Sequence, residues 1–436
     1  MRSRGDRLLS RAIRISGGSA LRGTITVSGA KNAVLKHMAA AILAEGASTF
    51  HRVPRIADVE VMAEVLRRLG ADVRFEGSTM VVDASAMDSF EAPYDLVSAM
   101  RASILVLGPL VARLGKARVA MPGGCNIGSR KIDLHLKGLQ QLGASIVSEH
   151  GYIEASAPDG LRGAHIFLDF PSVGATENLL MASVRARGTT IIENAAREPE
   201  IQDLVAFLRA MGAQIEGAGT STLVIEGVRE LAPAEHTVVG DRIEAGTMLV
   251  AGALAGESLV VDGADPAHLE LVLRKLSDAG VDVHVEGKRM TVTSPGRFRP
   301  VDVATLPYPG FPTDMQPQFM AMLALADGDS VITENVFESR FMFADELRRM
   351  GADITIDGHR AIIRGVDRLS GAPVKAPDLR GGAALVLAGL VAEGETLVGD
   401  TYHIERGYED LVGKLAGVGA AIEWVEIEEV GVGAHA

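Results

Sequence analysis

A repeat of ~70 residues runs through this chain of 436 residues and restricts the folds that it can adopt. Six times, a helix-like run ends at a glycine and a short strand-like run follows, as in RRLGADV and RRMGADI. The glycines of this first series occupy positions 70, 143, 212, 280, 351 and 419. A second series, at positions 46, 115, 188, 256, 328 and 394, keeps the same period. Because two independent series agree, we predict six similar units, with left-handed glycines closing the helices of the first series.

The pattern of apolar and turn residues within each unit predicts the order strand, helix, strand, helix and β-hairpin. The first helices are expected over residues 30–46, 100–115, 173–188, 241–256, 312–328 and 379–394. The second helices end at the first glycine series, and alternating apolar residues around a turn, as in ADVRFEGSTMVVDA, predict the hairpins. The sixth unit has no clear returning strand after AAIEWVEIEE, so we expect residues 12–22 to complete it.

Six such units could form an open solenoid, one ring or two groups of three. An open solenoid normally has atypical capping repeats, whereas here the first residues complete the last unit, which favours closure. Three units per group give α/β domains of ordinary size. We therefore predict an N-terminal lobe over 31–236 and a C-terminal lobe over 237–429 plus 11–30, with 1–10 and 430–436 as flexible tails.

The charge balance and the single cysteine exclude several classes of protein. The chain has 43 Lys and Arg against 56 Asp and Glu, a net charge of −13, which argues against binding to nucleic acid or an anionic membrane. Cys125 is the one cysteine, so neither an internal disulfide nor a cysteine-rich metal site can form, as suits a reducing cytoplasm. No apolar run reaches the ~18 residues of a membrane span, and we expect no secretory signal. Phosphate-loop, dinucleotide-binding and histidine metal motifs are also absent, so we expect no metal and no cofactor.

The predicted first helices begin with polar residues, although the helices themselves are apolar. The starts read SGAKN, MRAS, SVGAT, DRIEAG, FPTDMQ and DLRGG. A helix N-terminus exposes backbone N–H groups and carries partial positive charge, and Lys31, Arg101, Arg242 and Arg380 lie at these starts. Ordinary capping with solvated arginines would explain one such start. Six equivalent starts in related units favour sites for an anionic ligand.

The loops before the second helices are polar as well, and one of them, PGGCNIGSRKIDLHL at 122–136, contains Cys125. A lone cysteine is commonly a buried, inert residue. The flanking glycines and Arg130 instead favour an exposed loop and a thiol that ionises easily. In the equivalent loops, Glu198, Glu338 and Arg340 could take part in local salt bridges alone.

Taken in chain order, these motifs resemble the UDP-N-acetylglucosamine 1-carboxyvinyltransferase family of enolpyruvyl transferases. The matching segments are SGAKNA, MRAS, PGGCNIGSRKIDLH, SVGAT, ENAAREPEI, DRIEAGT, FPTDMQ, ENVFESRF, DLRGGAALVLAG and YHIERGYE. They extend from Ile13 to Trp424, and the cysteine loop separates this family from the related 5-enolpyruvylshikimate-3-phosphate synthases. The resemblance implies an α/β fold of the two-domain, inside-out α/β-barrel type, with six βαβαββ repeats, three per domain.

The resemblance also implies a reaction. Phosphoenolpyruvate loses phosphate, and its enolpyruvyl group is joined to the 3-hydroxyl of UDP-N-acetylglucosamine by addition and elimination, the first committed step of peptidoglycan biosynthesis. This chemistry needs an acid for the methylene carbon, a base for the hydroxyl group and cations for the phosphate and carboxylate. The implied partners are these two small substrates, with no cofactor; the oligomeric state stays open, and a monomer is possible.

Residue roles follow from the matching motifs. The implied catalytic residues are Cys125 as proton donor, Asp314 as general base, and Lys31. The residues implied to bind phosphoenolpyruvate are Lys31, Asn32, Arg130, Arg380 and Arg406. The residues implied to bind UDP-N-acetylglucosamine are Arg101, Arg130, Lys131, Ile132, Asp133, Leu134, Ser172, Val173, Asp314 and Val336. Glu198, Glu338 and Asp378 are implied to lie behind the substrate-binding residues, and a purely structural role for them is equally open.

One position departs from the family. Some members carry Lys-Val where this chain has Phe170 and Pro171, so a lysine contact to the diphosphate is missing. Backbone amides or Lys131 could replace it. Because Cys125 is retained, the resemblance implies inactivation by the epoxide fosfomycin. Two other functions stay open, namely transfer to shikimate 3-phosphate and regulation by a catalytically idle relative that binds UDP-N-acetylglucosamine.

Overall fold

The computed structural model describes residues 9–92, 94–99, 101–121 and 132–428, which form a mixed α/β fold. The strands are β1 (Leu9–Ser16), β2 (Leu21–Thr26), β3 (Ala47–His51), β4 (Asp72–Glu76), β5 (Thr79–Asp83), β6 (Glu91–Ala92), β7 (Lys116–Ala120), β8 (Ser145–Glu149), β9 (Tyr152–Ser156), β10 (His165–Phe167), β11 (Thr189–Glu193), β12 (Gln214–Glu216), β13 (Thr222–Glu226), β14 (Glu235–Thr237), β15 (Gly256–Asp262), β16 (Asp282–Glu286), β17 (Arg289–Thr293), β18 (Val303–Ala304), β19 (Asp329–Thr333), β20 (Asp353–Asp357), β21 (Arg360–Arg364), β22 (Pro373–Lys375), β23 (Glu395–Gly399) and β24 (Ala421–Glu428).

The α-helices are α1 (Lys31–Ala41), α2 (Ala57–Arg68), α3 (Tyr94–Ala99), α4 (Leu107–Leu114), α5 (Asp133–Gln141), α6 (Val173–Ser183), α7 (Pro199–Ala210), α8 (Arg242–Ala255), α9 (Glu270–Asp278), α10 (Gln316–Leu323), α11 (Ala344–Arg349), α12 (Leu379–Gly389), α13 (Tyr402–Glu405) and α14 (Leu411–Ala416). Three 3₁₀ helices cover Arg101–Val106, Pro266–Leu269 and Thr313–Met315. None of the helices in the described ranges is both long and apolar enough to cross a membrane.

The six glycines of the first series all adopt the left-handed conformation, with φ between 91° and 103°. This confirms the prediction that they close helices, because a Cβ is strained in that region. The first helices are shorter than predicted. For example, α1 ends at Ala41 rather than at residue 46, since Leu43 N–H bonds to the carbonyl of Ala40 in a tighter turn.

The strands form six sheets of four strands with one common order. The sheets are β14-β3-β5-β4, β6-β7-β9-β8, β10-β11-β13-β12, β2-β15-β17-β16, β18-β19-β21-β20 and β22-β23-β1-β24. In each, an edge strand lies parallel to its neighbour, and the remaining pairs are antiparallel. In the last sheet β1 lies between β23 and β24, so the first strand of the chain supplies the strand that the sixth unit lacks.

The chain divides into two compact units. One, here the N-lobe, comprises Ser28–Arg242 and Leu306–Gly310, and the other, here the C-lobe, comprises the remaining residues up to 27, 243–305 and from 311 onwards. The chain thus passes between units at 27/28, 242/243, 305/306 and 310/311, whereas the sequence placed two such points, at 30/31 and 236/237. The difference arises because the three-residue strand β14 pairs with β3, and because Asp241 N–H bonds to the carbonyl of Ser28. The predicted tails also change, since β1 already begins at Leu9; residues 1–8 and 429–436 lie outside the described residues.

Each lobe has its own apolar core around its first helices. In the N-lobe α4 packs on α6, and in the C-lobe α10 packs on α12. The N-lobe contact is close at Gly108, whose N–H donates to Asn178 Oδ1 at 2.7 Å, and a Cβ there would lie 2.3 Å from that oxygen. The bodies of these helices are apolar and buried, and charged side chains lie at their N-termini.

Candidate active site

The start of α1 holds Lys31, and the structure surrounds this residue with carboxylates. Its Nζ lies 2.8 Å from Asp58 Oδ2, and the two side chains are only 11% and 5% exposed. Its backbone N–H donates to Asp241 Oδ2 at 3.2 Å. The neighbouring Asn32 is half-buried. The ammonium group is therefore held by the first turn of α2, which restricts its position before any ligand binds.

The starts of α5 and α6 hold five of the predicted residues, namely Ile132, Asp133, Leu134, Ser172 and Val173. Ser172 caps α6, because its Oγ accepts a hydrogen bond from Ala175 N–H at 3.4 Å. The two helices are joined by a contact of 3.0 Å between His135 Nδ1 and Asn178 Nδ2. This packing places both helix starts in the same part of the N-lobe.

The other N-lobe positions singled out in the sequence are Arg101, the residues of the cysteine loop and Phe170. Arg101 begins a 3₁₀ helix, as part of the predicted first helix of the second unit. Cys125, Arg130 and Lys131 lie outside the described residues. Phe170 is an exposed aromatic residue.

Two glutamates near the start of α7 are buried and differ in their partners. Glu200 forms two hydrogen bonds with Arg242, from Nε to Oε1 at 2.9 Å and from Nη2 to Oε2 at 3.3 Å. Glu198 Oε1 accepts the backbone N–H of Tyr308 at 3.4 Å, and burial raises the pKa of the Glu198 carboxyl. Arg242 is thus fixed in an ion pair, and Glu198 binds a backbone segment.

A further buried charge lies behind α1. The Lys36 ammonium lies 3.6 Å from Glu177 Oε1 and also donates to the carbonyl of Asn32. Burial raises the pKa of the Glu177 carboxyl to about 8, although the Lys36 charge acts in the opposite direction. The helix turn that carries Asn32 is therefore bound to a buried carboxyl group of α6.

In the C-lobe, Asp314 lies between two guanidinium groups. Arg340 Nη2 donates to its Oδ1 at 2.9 Å, and Arg380 donates to its Oδ2 from Nη2 at 3.1 Å and from Nε at 3.3 Å. Both arginine side chains are 2% exposed, whereas the Asp314 side chain is 24% exposed. The two guanidinium groups hold both carboxylate oxygens, and the partial exposure of the side chain leaves room for an approaching hydroxyl group.

The remaining C-lobe residues of the predicted site differ in their surroundings. Asp378 caps α12, because its Oδ1 accepts the N–H groups of Arg380 at 2.9 Å and Gly381 at 3.0 Å. Arg406 is half-buried at the end of α13, and Glu338 is exposed. Asp378 thus positions the helix turn that carries Arg380.

The backbone around Val336 is organised by a buried residue that the sequence analysis missed, Glu334. Its Oε1 accepts Val336 N–H and the hydroxyl of Thr305, both at 2.8 Å, and its Oε2 accepts the hydroxyl of Thr313 at 2.9 Å. Thr313 directly precedes Asp314. Glu334 therefore links the loop of Val336 to the turn that carries Asp314.

Two other residues of the site were not predicted from the sequence, Asp58 and Arg340. Asp58 lies in the first turn of an amphipathic helix, where an acidic residue is ordinary capping chemistry. Arg340 was considered only as a local partner of Glu338, whereas the structure pairs it with Asp314. Its Nε and Nη1 atoms have no hydrogen-bond partner among the described residues, so buried donors are left for an anion.

Known proteins share the sequence pattern and the fold of this chain. The sequence pattern of the EPSP synthase (3-phosphoshikimate 1-carboxyvinyltransferase) family matches residues 15–415. The chain belongs to the EPSP synthase family. Within this family, a protein of Trichlorobacter lovleyi named UDP-N-acetylglucosamine 1-carboxyvinyltransferase is 54% identical over 411 residues, covering 94% of this chain and 98% of the relative. A protein of Symbiobacterium thermophilum named UDP-N-acetylglucosamine 1-carboxyvinyltransferase 1 is 54% identical over 416 residues, 94% of each chain.

Solved structures of EPSP synthase family members share the fold. The enolpyruvyl transferase NikO from Streptomyces tendae has a TM-score of 0.87 at 30% identity, covering 96% of this chain and 99% of its own. EPSP synthase from Acinetobacter baumannii has a TM-score of 0.74 at 19% identity over 95% of this chain and 100% of its own, which supports the fold alone. The resemblance to enolpyruvyl transferases found in the sequence is confirmed.

Proposed function

We propose that this chain transfers the enolpyruvyl group of phosphoenolpyruvate to the 3-hydroxyl of UDP-N-acetylglucosamine, with release of phosphate, in the cytoplasmic first committed step of peptidoglycan biosynthesis. The observation that carries the proposal is the 54% identity, over 94% of the chain, to relatives that bear the name of this transferase. The partners are the two small substrates. The proposal includes a two-domain, inside-out α/β barrel with six βαβαββ repeats, supported by the common order of the six sheets.

The N-lobe supplies cations and helix starts for anionic groups. Lys31 contacts phosphoenolpyruvate, and its ion pair with Asp58 positions the ammonium group. Asn32 and the N-terminus of α6 at Ser172 add hydrogen-bond donors. With an aromatic ring at Phe170, backbone N–H groups or Lys131 bind the diphosphate in place of the missing lysine.

The C-lobe supplies the base and further cations. Asp314 accepts the proton of the sugar 3-hydroxyl, and the two arginines bound to it orient the carboxylate. Arg380 and Arg406 bind the phosphate and carboxylate of phosphoenolpyruvate, for which the guanidinium fork is suited. Arg340 holds Asp314 and retains buried donors that an anion can use.

The chemical steps balance with these groups. The Cys125 thiol gives its proton to the methylene carbon of phosphoenolpyruvate, while the sugar oxygen loses its proton to Asp314 and bonds to the adjacent carbon. The product of this addition is a tetrahedral ketal phosphate. In the elimination, the Cys125 thiolate takes a proton from the new methyl group as the carbon–oxygen bond to phosphate breaks, and the proton on Asp314 passes to the departing phosphate. Phosphate departs, and the enolpyruvyl ether remains on the sugar.

The test is phosphate release from phosphoenolpyruvate in the presence of each acceptor. We expect release with UDP-N-acetylglucosamine and none with shikimate 3-phosphate, and we expect fosfomycin to stop the reaction while adding its mass to Cys125. Release with shikimate 3-phosphate alone would favour the other transfer reaction. Binding of UDP-N-acetylglucosamine without any release would favour a regulatory protein.

A Cys125→Ser variant separates catalysis from binding. Serine keeps the size of the side chain but does not donate its proton as easily as a thiol, so turnover at neutral pH should fall by at least about 100-fold. Calorimetric binding of UDP-N-acetylglucosamine should be unchanged, and fosfomycin should no longer modify the chain. Near-normal turnover of this variant would remove Cys125 from its proposed role.

A further inference from the structure

Three side chains that play no part in the proposed reaction meet inside the N-lobe. They are His37 on α1, Asp203 on α7 and His236 on β14. His37 Nε2 lies 3.3 Å from Asp203 Oδ2, and His236 Nε2 lies 2.9 Å from Asp203 Oδ1. One ligand atom from each residue lies within 4.8 Å of the others, and the side chains are 0%, 12% and 13% exposed.

His37 is the residue of this cluster that ordinary packing does not explain. Neither ring nitrogen has a hydrogen-bond partner among the described residues, since the approach of Nε2 to Asp203 lacks hydrogen-bond geometry. The ring is stacked on Phe50 and meets Phe207 edge-on, contacts that an apolar side chain could make equally well. A buried imidazole with two unsatisfied nitrogens is costly, which makes this ring a candidate ligand for a bound group.

The charged groups around the cluster act in opposite directions on a bound cation. The Asp203 carboxylate, which faces both imidazoles, supplies negative charge to the site. The Lys36 ammonium, on the same helix as His37, opposes a bound cation.

We propose that His37, Asp203 and His236 bind one divalent first-row transition metal ion, of which Zn²⁺ is the representative. Two imidazoles and a carboxylate suit this class of ion. A tetrahedral Zn²⁺ site holds its ligand atoms about 3.3 Å apart, and since one atom from each of the three residues lies within 4.8 Å of the others, no separation must contract by more than about 1.5 Å. Val239 N–H donates to Asp203 Oδ2 at 3.1 Å and orients the carboxylate, as an outer hydrogen bond does in established sites.

The ion would serve the fold rather than the transfer reaction. Its three ligands join α1, whose first residue is Lys31, to α7 and to the edge strand β14. The ligands are separated by 166 and 33 residues along the chain, which is why no histidine metal motif was found and no metal was expected from the sequence. The proposal stands on geometry alone and does not depend on the proposed function.

The first experiment uses the full chain without a histidine tag, treated with a chelator and then freed of it. We expect calorimetric titration with Zn²⁺ to show one tight site per chain. Titration with Co²⁺ should give the intense visible bands of a four-coordinate ion, which Zn²⁺ then abolishes. Absence of tight Zn²⁺ binding, or only the weak bands of six-coordinate Co²⁺, would overturn the proposal, whatever the enzymatic activity.

Variants then locate the site. His37→Leu and His236→Gln should each weaken Zn²⁺ binding by more than about 100-fold and remove the Co²⁺ bands. His165→Gln is the matched control, because His165 and Glu193 form an exposed histidine–carboxylate pair 3.3 Å apart that could take up a cation adventitiously. If only the control weakened binding, the ion would belong to the surface and the proposal would be wrong. If His37→Leu fails to fold, His236→Gln and the Co²⁺ spectrum of the unaltered chain still decide.

Discussion

The N-lobe and the C-lobe place opposite charges at equivalent helix starts. At the start of α1 the N-lobe has the Lys31 ammonium, bound by the Asp58 carboxylate of α2. In the turn before α10 the C-lobe has the Asp314 carboxylate, bound by the guanidinium groups of Arg340 and Arg380. Within each lobe the charge expected to meet the substrate is already held by partners from other elements.

The repeat and the individual side chains therefore determine different properties of the site. The repeat determines where an apolar helix begins and exposes its N–H groups, whereas the side chain at that start decides which group is bound or which proton is moved. The ion pairs also explain how such charges tolerate burial, since a buried charge without a partner is strongly unfavourable.

The surroundings of the two charges differ as well. The N-lobe has a group of buried carboxyls around its cations, including Glu177, Glu198 and Glu200. Burial raises the pKa of Glu177 to about 8 and also raises that of Glu198. The C-lobe has two buried arginines beside one partly exposed carboxylate. The comparison therefore predicts that the lobes respond differently to loss of a charge and to pH.

The largest effect is expected from removing the carboxylate of the C-lobe. In Asp314→Asn the amide cannot accept the sugar proton, so phosphate release should fall by about 10²–10⁴-fold. Steady-state phosphate release with UDP-N-acetylglucosamine is the measurement. Asp345→Asn, at an exposed carboxylate paired with Arg348, is the matched control and should keep full activity. Turnover of Asp314→Asn close to that of the unaltered chain would exclude Asp314 as the base.

The next effect concerns the stability of the same group. Arg340→Met leaves Asp314 with one guanidinium partner fewer, and breaking a buried pair should lower the free energy of unfolding by about 3 kcal/mol. Urea unfolding of the ligand-free chain measures this change. Arg368→Met removes an exposed partner of Glu393 and should cost less than about 1 kcal/mol. Equal costs for the two variants would show that the buried pair contributes no more than a surface pair.

Removing the cation of the N-lobe should have a smaller effect on catalysis. Lys31→Met deletes a charged hydrogen-bond donor, so kcat/KM for phosphoenolpyruvate should fall by about 10–100-fold. Lys31→Arg keeps the charge and should recover part of the loss. Lys137→Met, at an exposed lysine of the same lobe, is the control. An unchanged kcat/KM for Lys31→Met would place this ammonium outside the substrate site.

The features predicted correctly from the sequence are those set by local chemistry. The six closing glycines could be identified because each repeats within a short motif, and their φ values agree. The edge strand β14 could not, because three residues, Glu-His-Thr, carry too little alternation to indicate a strand. Its pairing with β3 then moved the boundary between the lobes to 242/243.

In the site, too, only the features set by local sequence could be predicted. Lys31 and Asp314 could be selected because they lie in recognisable motifs at helix starts, but their partners come from other elements. Arg340 follows Glu338 by two residues, which suggested a local pair, whereas its guanidinium reaches Asp314. Which carboxylate Arg340 contacts depends on how the loop before α11 packs on the turn before α10. The residue spacing within either segment does not indicate that packing.

The smallest expected effect concerns two buried groups of the N-lobe that respond to acid in opposite directions. Burial lowers the pKa of His37 from 6.5 to about 4, so the unfolded chain binds a proton that the folded chain refuses as the pH falls through this window. In chelator-treated protein this costs about 2 kcal/mol of stability at pH 5 relative to pH 8. Burial raises the pKa of Glu177 to about 8, so this carboxyl group acts in the opposite direction, because the folded chain already holds its proton at pH 5. His37→Leu removes the first contribution and leaves the second. Urea unfolding followed by circular dichroism should therefore show the variant gaining about 2 kcal/mol relative to the unaltered chain between pH 8 and pH 5. A difference between the two proteins that is the same at both pH values would mean that the buried imidazole of the N-lobe does not respond to acid as this comparison of the lobes requires.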